Sequence, residues 1–508
     1  DDDSVFEWGS VTKLTVWLSV MQLWEQGKIN LEEDIRTYLP EGFLKNLRYD
    51  KPITMLDLMS HQAGFDEVTM YLQDDKSIEE ILKEQQPIQS FEPGTVTAYS
   101  NYGAGLAALI VERISGQTFA DYAHEHIFQP LGMDKTAILP DLSDNSYVQK
   151  KRQETKGYDT KGNLLSKDHF ITSIYPIGAA TGTLKDLEKF AQALLARKTL
   201  FERPETWNTL YTASSTYPDT DIIRNAHGFW ANEYGTTVLG HGGNTPGATS
   251  RIMLDLEHGI GYVVMTNQGT EQNYNFQMPE LVFGPRKTAS KETKEQFSPG
   301  YYRTLRNFNQ GPLAIFKMIP ASADYLQEPS DDQRLPNNFW TIYQSQGKTR
   351  IAVAVADYEK VSDFDFFKDY VVLGLAGLGI IYALGLLIIS PLLGVYRLIF
   401  RKKQDQPDRT WKVWNLLTAV GILAVPINLF LLFMSATSGD FSEIAQWRYM
   451  LFAALGLLLT SAALLPLFRK FREKLSKGRL FLTSVTSLSA LAVAANILYW
   501  SLYQWWVF

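Results

Sequence analysis

The chain has 508 residues, of which 45% are hydrophobic and 20% are charged, and this length allows two or three domains. Its net charge of −7 argues against a nucleic-acid partner. Because the chain contains no cysteine, it can form neither a disulfide nor a cysteine-ligated metal site. The averages hide a division, since the first two-thirds have the composition of a soluble protein and the last third consists mainly of apolar runs.

The N-terminus has an unusual composition. The chain opens on Asp1, Asp2 and Asp3, which is a rare natural start, and it shows no signal peptide. We therefore expect that an N-terminal portion of the protein precedes this sequence.

The first chemical motif is Ser10-x-x-Lys13, which is followed by good helix formers over residues 14–26. Residues three apart share one face of a helix, so Lys13 is predicted to lie one turn from Ser10. A serine hydroxyl needs a neighbouring base to act as a nucleophile, and a lysine is such a base only where burial or nearby charge lowers its pKa. Four apolar neighbours can bury this lysine: Phe6, Trp8, Val11 and Leu14. Alone, the four-residue pattern is common in long proteins.

The hydrophobic periodicity changes once along the first half of the chain. It predicts helices first, at residues 10–27, 53–61, 105–115, 119–128 and 183–195, with Thr54 as the cap of the second. From Gly228 the period becomes two, which predicts strands at residues 229–231, 236–239, 250–254 and 261–266. Helices followed by neighbouring strands indicate an α+β fold in which a helical region packs on an antiparallel sheet.

The remaining chain divides into two further regions. Residues 271–368 are rich in Pro, Asn, Gln, Asp and Ser with strand-like pieces, and we interpret them as an accessory β-region and linker. Apolar segments near residues 370–395, 412–435, 449–468 and 480–503 each have the roughly 20 residues that cross a bilayer. We therefore predict three domains, at residues 1–270, 271–368 and 369–508, the last being an all-α region of four transmembrane helices.

The charges between the apolar segments predict their orientation. Basic residues follow the first and third segments: Arg397, Arg401, Lys402, Lys403 and Arg409, and Arg469, Lys470, Arg472, Lys474, Lys477 and Arg479. The loop between them, residues 438–443, is acidic. By the positive-inside rule the basic loops are cytoplasmic, which predicts a multi-pass protein of the cell membrane whose catalytic domain and C-terminus are extracytoplasmic.

The membrane segments have the features of an anchor. Six tryptophans lie near the predicted interfaces, as in an aromatic belt: Trp411, Trp414, Trp447, Trp500, Trp505 and Trp506. No ionisable residue lies in the middle of a segment, so nothing indicates a transport path. A role in binding a lipid-like substrate stays open.

Two further motifs, together with Ser10-x-x-Lys13, indicate a protein family. They are Tyr99-Ser100-Asn101 and His241-Gly242-Gly243, and further matching runs lie at residues 53–64, 91–94, 129–133 and 241–247. In this order and spacing the chain resembles the serine β-lactamase and penicillin-binding-protein superfamily, in its class C β-lactamase-like branch of esterases and D-aminopeptidases. The resemblance covers residues 5–268 and implies a β-lactamase/transpeptidase-like fold.

The resemblance also implies catalytic roles. Ser10 would attack a carbonyl carbon and form an acyl-enzyme. Lys13 and Tyr99 would share the proton transfers, with Tyr99 as a phenolate or a relay, and Asn101 would orient the substrate amide or Lys13. A tyrosine can be a base only when nearby cations lower its pKa.

The motif His241-Gly242-Gly243 would line the site opposite Ser10. The backbone N–H groups of Ser10 and Asn244 would form the oxyanion hole, and Gly242 and Gly243 would let the strand approach the substrate. His241 would line the site and bind a carboxylate when protonated. The other histidines are interpreted as structural: His61, His124, His126, His227 and His258. No metal and no cofactor are expected.

The chain departs from the family pattern at two places. The family places strands before its Ser-x-x-Lys motif, and we expect them to be missing here because Ser10 lies so close to the start. Gly182 stands in a Gly-rich loop where the family often has a serine.

The functional hypothesis is a membrane-anchored serine hydrolase. Its expected substrates are peptides or esters that contain D-amino acids, including a capped prodrug peptide, or β-lactams, and its other partner is the lipid bilayer. The alternative is a penicillin-binding sensor that is acylated without turnover, although no cytoplasmic signalling domain is visible. A degenerate scaffold is disfavoured by the intact motifs, and the oligomeric state stays open.

Overall fold

A computed structural model describes most of the chain: residues 3–68, 76–165, 172, 174–287, 297–309, 314–315, 318, 323–327, 339–400, 409–438, 443–468 and 475–504. The chain forms two compact units. The N-terminal unit comprises residues 1–307 and 324–360, and the C-terminal unit comprises residues 308–323 and 361–508.

The helices of the N-terminal unit begin and end where the local sequence dictates. Thr54 is the N-cap of its helix, as predicted, and forms a capping box with Asp57. The Ser100 side chain caps the helix that follows it by accepting the Gly103 N–H. The described helices are α1 (Lys13–Glu25), α2 (Met55–Met59), α3 (Ile78–Glu84), α4 (Asn101–Ser115), α5 (Phe119–Ala123), α6 (Ser146–Arg152), α7 (Leu184–Ala196), α8 (Pro204–Leu210) and α9 (Met278–Phe283). Because of the Ser100 cap, α4 begins at Asn101 and not near residue 105.

The main sheet of the N-terminal unit is six-stranded among the described residues, in chain order from β4 to β9. Its strands are β4 (Ser215–Thr216), β5 (Ile223–Ala226), β6 (Phe229–Glu233), β7 (Thr237–Thr245), β8 (Ala248–Asp255) and β9 (Ile260–Thr266). Every neighbouring pair is antiparallel. Together with the buried cores of α1 and α4, this sheet confirms the predicted α+β fold. Strand β7 continues six residues past the predicted end at residue 239, so the third motif lies inside a strand.

A small sheet surrounds the N-terminus. Strand β3 (Thr181–Thr183) pairs on one side with β1 (Val5–Glu7) and on the other with β2 (Thr136–Ala137). Strand β1 precedes Ser10 in this small sheet, whereas the described strands of the main sheet all follow Ser10. The expected lack of the family's N-terminal strands stays a prediction. A Cβ at Gly182 would lie 2.7 Å from the Thr136 side-chain oxygen and 3.0 Å from the Lys135 carbonyl oxygen, so β2 packs closely on this glycine.

The last part of the N-terminal unit contains a sheet with five strands among the described residues, which we call the accessory sheet. Its order is β11-β10-β14-β13-β12, and its strands are β10 (Gly300–Thr304), β11 (Asp324–Leu326), β12 (Trp340–Ser345), β13 (Lys348–Val353) and β14 (Asp357–Val361). This sheet belongs to the same compact unit as the Ser10 region.

The described part of the C-terminal unit contains four helices long and apolar enough to cross a membrane, as predicted. They are α10 (Asp363–Ile399), α11 (Arg409–Ser438), α12 (Glu443–Leu464) and α13 (Lys477–Tyr499), and their apolar windows have a mean hydropathy of 1.7 to 2.5. Helix α10 begins at Asp363 and not near residue 370, because Ser362 caps it. We call these four helices the membrane bundle.

The interior of the membrane bundle is partly polar. The Thr486 hydroxyl donates to Asn415 Oδ1 at 2.6 Å, and the Tyr382 and Thr486 hydroxyls lie 2.8 Å apart. Trp414 and Trp500 are buried in the bundle, and their predicted place near the membrane interfaces stays a prediction. The basic and acidic loops used to predict the orientation lie mostly outside the described residues, as do Trp505 and Trp506.

Candidate active site

Ser10 lies in a single turn of 3₁₀ helix, Gly9–Thr12, that leads directly into α1. Backbone and side-chain bonds hold this turn in place: Trp8 N–H donates to the Ala180 carbonyl at 2.7 Å, and the Ser250 hydroxyl donates to the Trp8 carbonyl at 2.6 Å. The turn is therefore fixed both to the chain before β3 and to strand β8. Such anchoring suits a residue that must hold one orientation during a reaction.

Lys13 is the first residue of α1 and lies fully buried beside the serine. Its Nζ lies 2.9 Å from Ser10 Oγ and donates to the Ile177 carbonyl at 2.7 Å. Burial lowers the pKa of Lys13 well below its ordinary value, and the positive charge of Arg306 lowers it further while Glu67 opposes the change. The predicted pair therefore lies within hydrogen-bonding distance, and the amine favours the neutral form that can accept a proton.

Tyr99 lies next to this pair, with 7% of its surface exposed. Lys13 Nζ is 5.1 Å from the centre of the Tyr99 ring. Burial raises the pKa of Tyr99 above its ordinary value, against the opposing influence of Ser10 and Arg306. The hydroxyl is therefore protonated near pH 7, which favours a relay over the phenolate that was left open as an alternative.

His61, which the sequence indicated as structural, lies inside the site. Its ring stacks on Tyr99 with centroids 4.3 Å apart and on Trp230 at 5.3 Å. Its Nδ1 accepts the Ser100 N–H at 3.0 Å, and burial lowers its pKa well below the ordinary value, so the ring is neutral. His61 thus holds the residue that follows Tyr99, and its place in the matching run at residues 53–64 was the available signal.

His241 lies on β7, with its ring 6.1 Å from that of Tyr99. Burial, helped by Lys13, lowers the pKa of His241 to about 3. The neutral ring donates from Nδ1 to the Gly242 carbonyl at 2.7 Å, which leaves Nε2 as an acceptor. This geometry does not support the expectation that His241 binds a carboxylate as a cation.

Gly243 lies where β7 comes closest to the turn that carries Ser10. The predicted approach of this strand to the substrate stays a prediction. A Cβ at Gly243 would lie 1.9 Å from the Trp8 carbonyl oxygen and 3.0 Å from Ser10 N, so β7 packs against the serine turn. At Gly242 a Cβ would meet only the Arg251 side chain, at 3.5 Å. Gly243 therefore permits contact with the turn that carries Ser10.

The close packing of β7 on the Ser10 turn also brings the expected oxyanion-hole residues close together. A Cβ at Gly9, the neighbour of Ser10, would lie 2.8 Å from Asn244 N. The backbone N–H groups of Ser10 and Asn244 stay a prediction as the oxyanion hole, and this proximity is compatible with it.

Asn101 begins α4 and is buried. Among the described residues no hydrogen bond joins its side chain to Lys13, whose second partner is the Ile177 carbonyl. The structure thus places Asn101 near the site without showing it to orient the lysine.

Two charged residues of the site were missed by the sequence analysis. Arg306, just beyond β10 of the accessory sheet, places its guanidinium carbon 4.7 Å from the Tyr99 ring centre. Its Nε donates to Glu67 Oε2 at 2.7 Å. No motif marks either residue, because only the folding of the accessory sheet brings Arg306 to Tyr99.

Together these residues can perform acyl transfer. Ser10 has beside it a buried amine whose pKa is lowered, Tyr99 can pass a proton, and backbone amides lie close to Ser10. Among the described residues no group of three or more His, Asp or Glu side chains has an arrangement that could hold a metal.

Comparison with known proteins finds one matching family and several similar chains. The family described as Beta-lactamase matches residues 1–283. The chain is 25% identical over 302 residues to "Unguisins hydrolase ungD'" of Aspergillus campestris, covering 55% of each chain. It is 24% identical over 341 residues to "Penicillin-binding protein 4*" of Bacillus subtilis, covering 60% of this chain and 72% of that one. The chain thus spans about half of the Aspergillus protein.

A solved structure is also similar. The octameric penicillin-binding protein homologue from Pyrococcus abyssi superposes with a TM-score of 0.46 at 18% identity, covering 70% of this chain and 88% of that chain.

Proposed function

The chain belongs to the Beta-lactamase family of serine hydrolases, and from this we propose that it hydrolyses its substrate through an acyl-enzyme on Ser10. The observation that carries the proposal is the buried Lys13 amine 2.9 Å from Ser10 Oγ. A lysine in this position can take the hydroxyl proton as Oγ attacks.

The proposed reaction has two stages. Ser10 Oγ bonds to the substrate carbonyl carbon while its proton passes to Lys13, and the backbone amides of Ser10 and Asn244 stabilise the oxyanion. The bond to the leaving group then breaks, and the leaving group takes a proton through Tyr99. Water next attacks the acyl-enzyme by the reverse proton route, which releases the acid and restores Ser10.

The proposed substrates are peptides or esters that contain D-amino acids, a capped prodrug peptide among them, or β-lactams. The names of the relatives support this range, since one is called a hydrolase and the other a penicillin-binding protein. The proposed roles of Asn101 and His241 are to contact the substrate from α4 and from β7.

The membrane bundle is proposed to anchor the enzyme with the Ser10 region outside the cytoplasm. The four apolar helices support the anchor, and the charge of the connecting loops in the sequence supports the orientation. Cleavage of the N-terminal unit by protease added to intact cells tests the orientation, and protection until the cells are lysed would contradict it.

The substrate proposal is tested by turnover of matched pairs with the full chain in detergent. We expect hydrolysis of acylated D-alanyl amides or esters, or of penicillin, with little hydrolysis of the L-alanyl counterparts and none by Ser10→Ala. Stoichiometric acylation by penicillin with no turnover of any substrate would instead favour a penicillin-binding sensor.

A further inference from the structure

The accessory sheet is bonded directly to the chain segment that carries Tyr99. Thr97 N–H donates to Asp357 Oδ2 at 2.9 Å, and Asp357 N–H donates to the Thr97 carbonyl at 2.8 Å. Two residues further on, Tyr99 N–H donates to the Val355 carbonyl at 3.0 Å. The backbone position of Tyr99 therefore depends on residues more than 250 positions later in the chain.

Asp357 is the centre of this connection, and it is 1% exposed. Besides Thr97, it accepts from Arg224 Nη2 of β5 at 2.7 Å and from the Tyr343 hydroxyl at 2.7 Å. Its own carbonyl accepts the Leu305 N–H at 2.8 Å. The same buried residue thus fixes both the Tyr99 segment and the chain immediately before Arg306.

Arg306 is held at two points. Its guanidinium lies over the Tyr99 ring, with 4.7 Å from Cζ to the ring centre, and its Nε bonds to Glu67 at 2.7 Å. Glu67 is fixed in turn, because its N–H donates to the Asn307 carbonyl at 3.2 Å. An arginine so constrained can act on its neighbours through a fixed charge.

We propose that Arg306 is a positioning residue of the active site, which with Glu67 fixes the Tyr99 ring and sets the charge around Ser10, Lys13 and Tyr99. This inference rests on the proposed acyl-enzyme function and deepens it. It makes the accessory sheet a part of the catalytic apparatus.

The positive charge of Arg306 and the negative charge of Glu67 have opposite effects on the pKa of Lys13. Lys13 must be neutral to accept the Ser10 proton, and a nearby cation disfavours its protonated form whereas a nearby anion favours it. The titratable groups that face Tyr99 and Lys13 are His61, His241, Glu67 and Arg306. Burial lowers the pKa of both histidines, so they stay neutral near pH 7. Glu67 and Arg306 are therefore the groups in this set that carry a full charge.

The test measures the rate at which an uncharged fluorophosphonate labels Ser10 in the full chain in detergent, as a function of pH. At low pH the labelling rate falls as the base becomes protonated, because the rate follows the neutral fraction of the base. We call this part of the pH–rate profile the acid limb. Arg306→Gln is expected to move this limb to higher pH by about half to one unit, because the lysine is then protonated more readily. Glu67→Gln is expected to move it to lower pH, and the double variant to return it towards the wild-type position.

Two variants serve as controls. Arg306→Lys keeps the charge and should keep the limb near its wild-type position. Lys348→Gln removes an exposed cation of the accessory sheet, at 55% side-chain exposure, and should move nothing. If Arg306 and Glu67 had only structural roles, their variants would change the labelling rate but would not move the limb in opposite directions.

The outcomes separate the two proposals. If wild-type Ser10 does not react, the proposed function fails. If Ser10 reacts but Arg306→Gln and Glu67→Gln leave the limb unmoved, or move it in the same direction, the role of this ion pair is overturned. A loss of folding in Arg306→Gln leaves the decision to Glu67→Gln, whose shift to lower pH is required.

Discussion

The N-terminal unit and the membrane bundle distribute polar and apolar side chains in opposite ways. In the N-terminal unit large apolar residues such as Trp17 and Tyr102 are fully buried, whereas in the bundle Leu378 and Leu457 are 66% and 73% exposed. Burial from water drives the first arrangement, and the second arrangement is the one expected of helices long and apolar enough to cross a membrane.

The buried polar groups differ as well. The N-terminal unit buries a full ion pair, Arg224 with Asp357. Among the described residues of the bundle, the buried Asp369 accepts a hydrogen bond from the Tyr499 hydroxyl, and most of the other buried polar groups, such as Asn415 and Thr486, are uncharged. Charges are costly to bury and need fixed partners, so they mark places where position matters. The comparison predicts that a single substitution near Ser10 or Asp357 reduces the labelling rate or the stability far more than a single substitution in the bundle.

The largest effect is expected from Gly243→Ala. The added Cβ would lie 1.9 Å from the Trp8 carbonyl oxygen, so β7 or the Ser10 turn must shift. We expect labelling of Ser10 by a fluorophosphonate to slow at least about 100-fold, as small displacements of reacting groups do. Gly242→Ala is the matched control, since its nearest contact is 3.5 Å away in a side chain. Equal rates for both variants would show that the close approach does not hold the nucleophile.

The next effect is on stability. Asp357→Asn removes the negative charge beside Arg224, which is 1% exposed, and should destabilise the N-terminal unit by about 3–5 kcal/mol. Urea unfolding of the full chain in detergent measures the loss. Arg36→Gln breaks a surface pair and should cost about 1 kcal/mol or less. Similar losses for both would mean that Asp357 does not connect the two sheets as described.

The smallest effect is expected in the membrane bundle. Asn415→Leu removes the acceptor of the Thr486 hydroxyl, and hydrogen bonds between membrane helices contribute about 1 kcal/mol. The bundle should lose about this much stability in detergent, and Ser10 labelling should not change. A loss as large as that for Asp357→Asn would remove the distinction between the two units.

Local signals in the sequence predicted much of the fold. Thr54 marked the start of α2, and the change of period at Gly228 marked strands β6 to β9 of the main sheet, because caps and alternation depend on neighbouring residues. Strands β4 and β5 lie before Gly228 and were not predicted. The four apolar segments were predicted for the same reason. The Ser10–Lys13 contact followed from helical spacing.

The rest depended on tertiary contacts. The accessory sheet consists of short strands with weak alternation, and its position against Tyr99 is set by Asp357, which no local pattern identifies. Arg306 and His61 join the site for the same reason, since each acts through a contact distant in the sequence. The neutral state of His241 follows from burial, which the His-x-Gly pattern does not reveal.

The most direct test of the central claim is to locate the residue that a fluorophosphonate modifies, by intact-protein mass followed by peptide mapping. We predict one adduct, on the peptide that contains Ser10, which is absent in Ser10→Ala. In Lys13→Gln it should form about 100-fold or more slowly, because the base is lost. An adduct on another serine, or labelling of Ser10→Ala at the wild-type rate, would contradict the claim that Ser10 is the nucleophile and Lys13 its base.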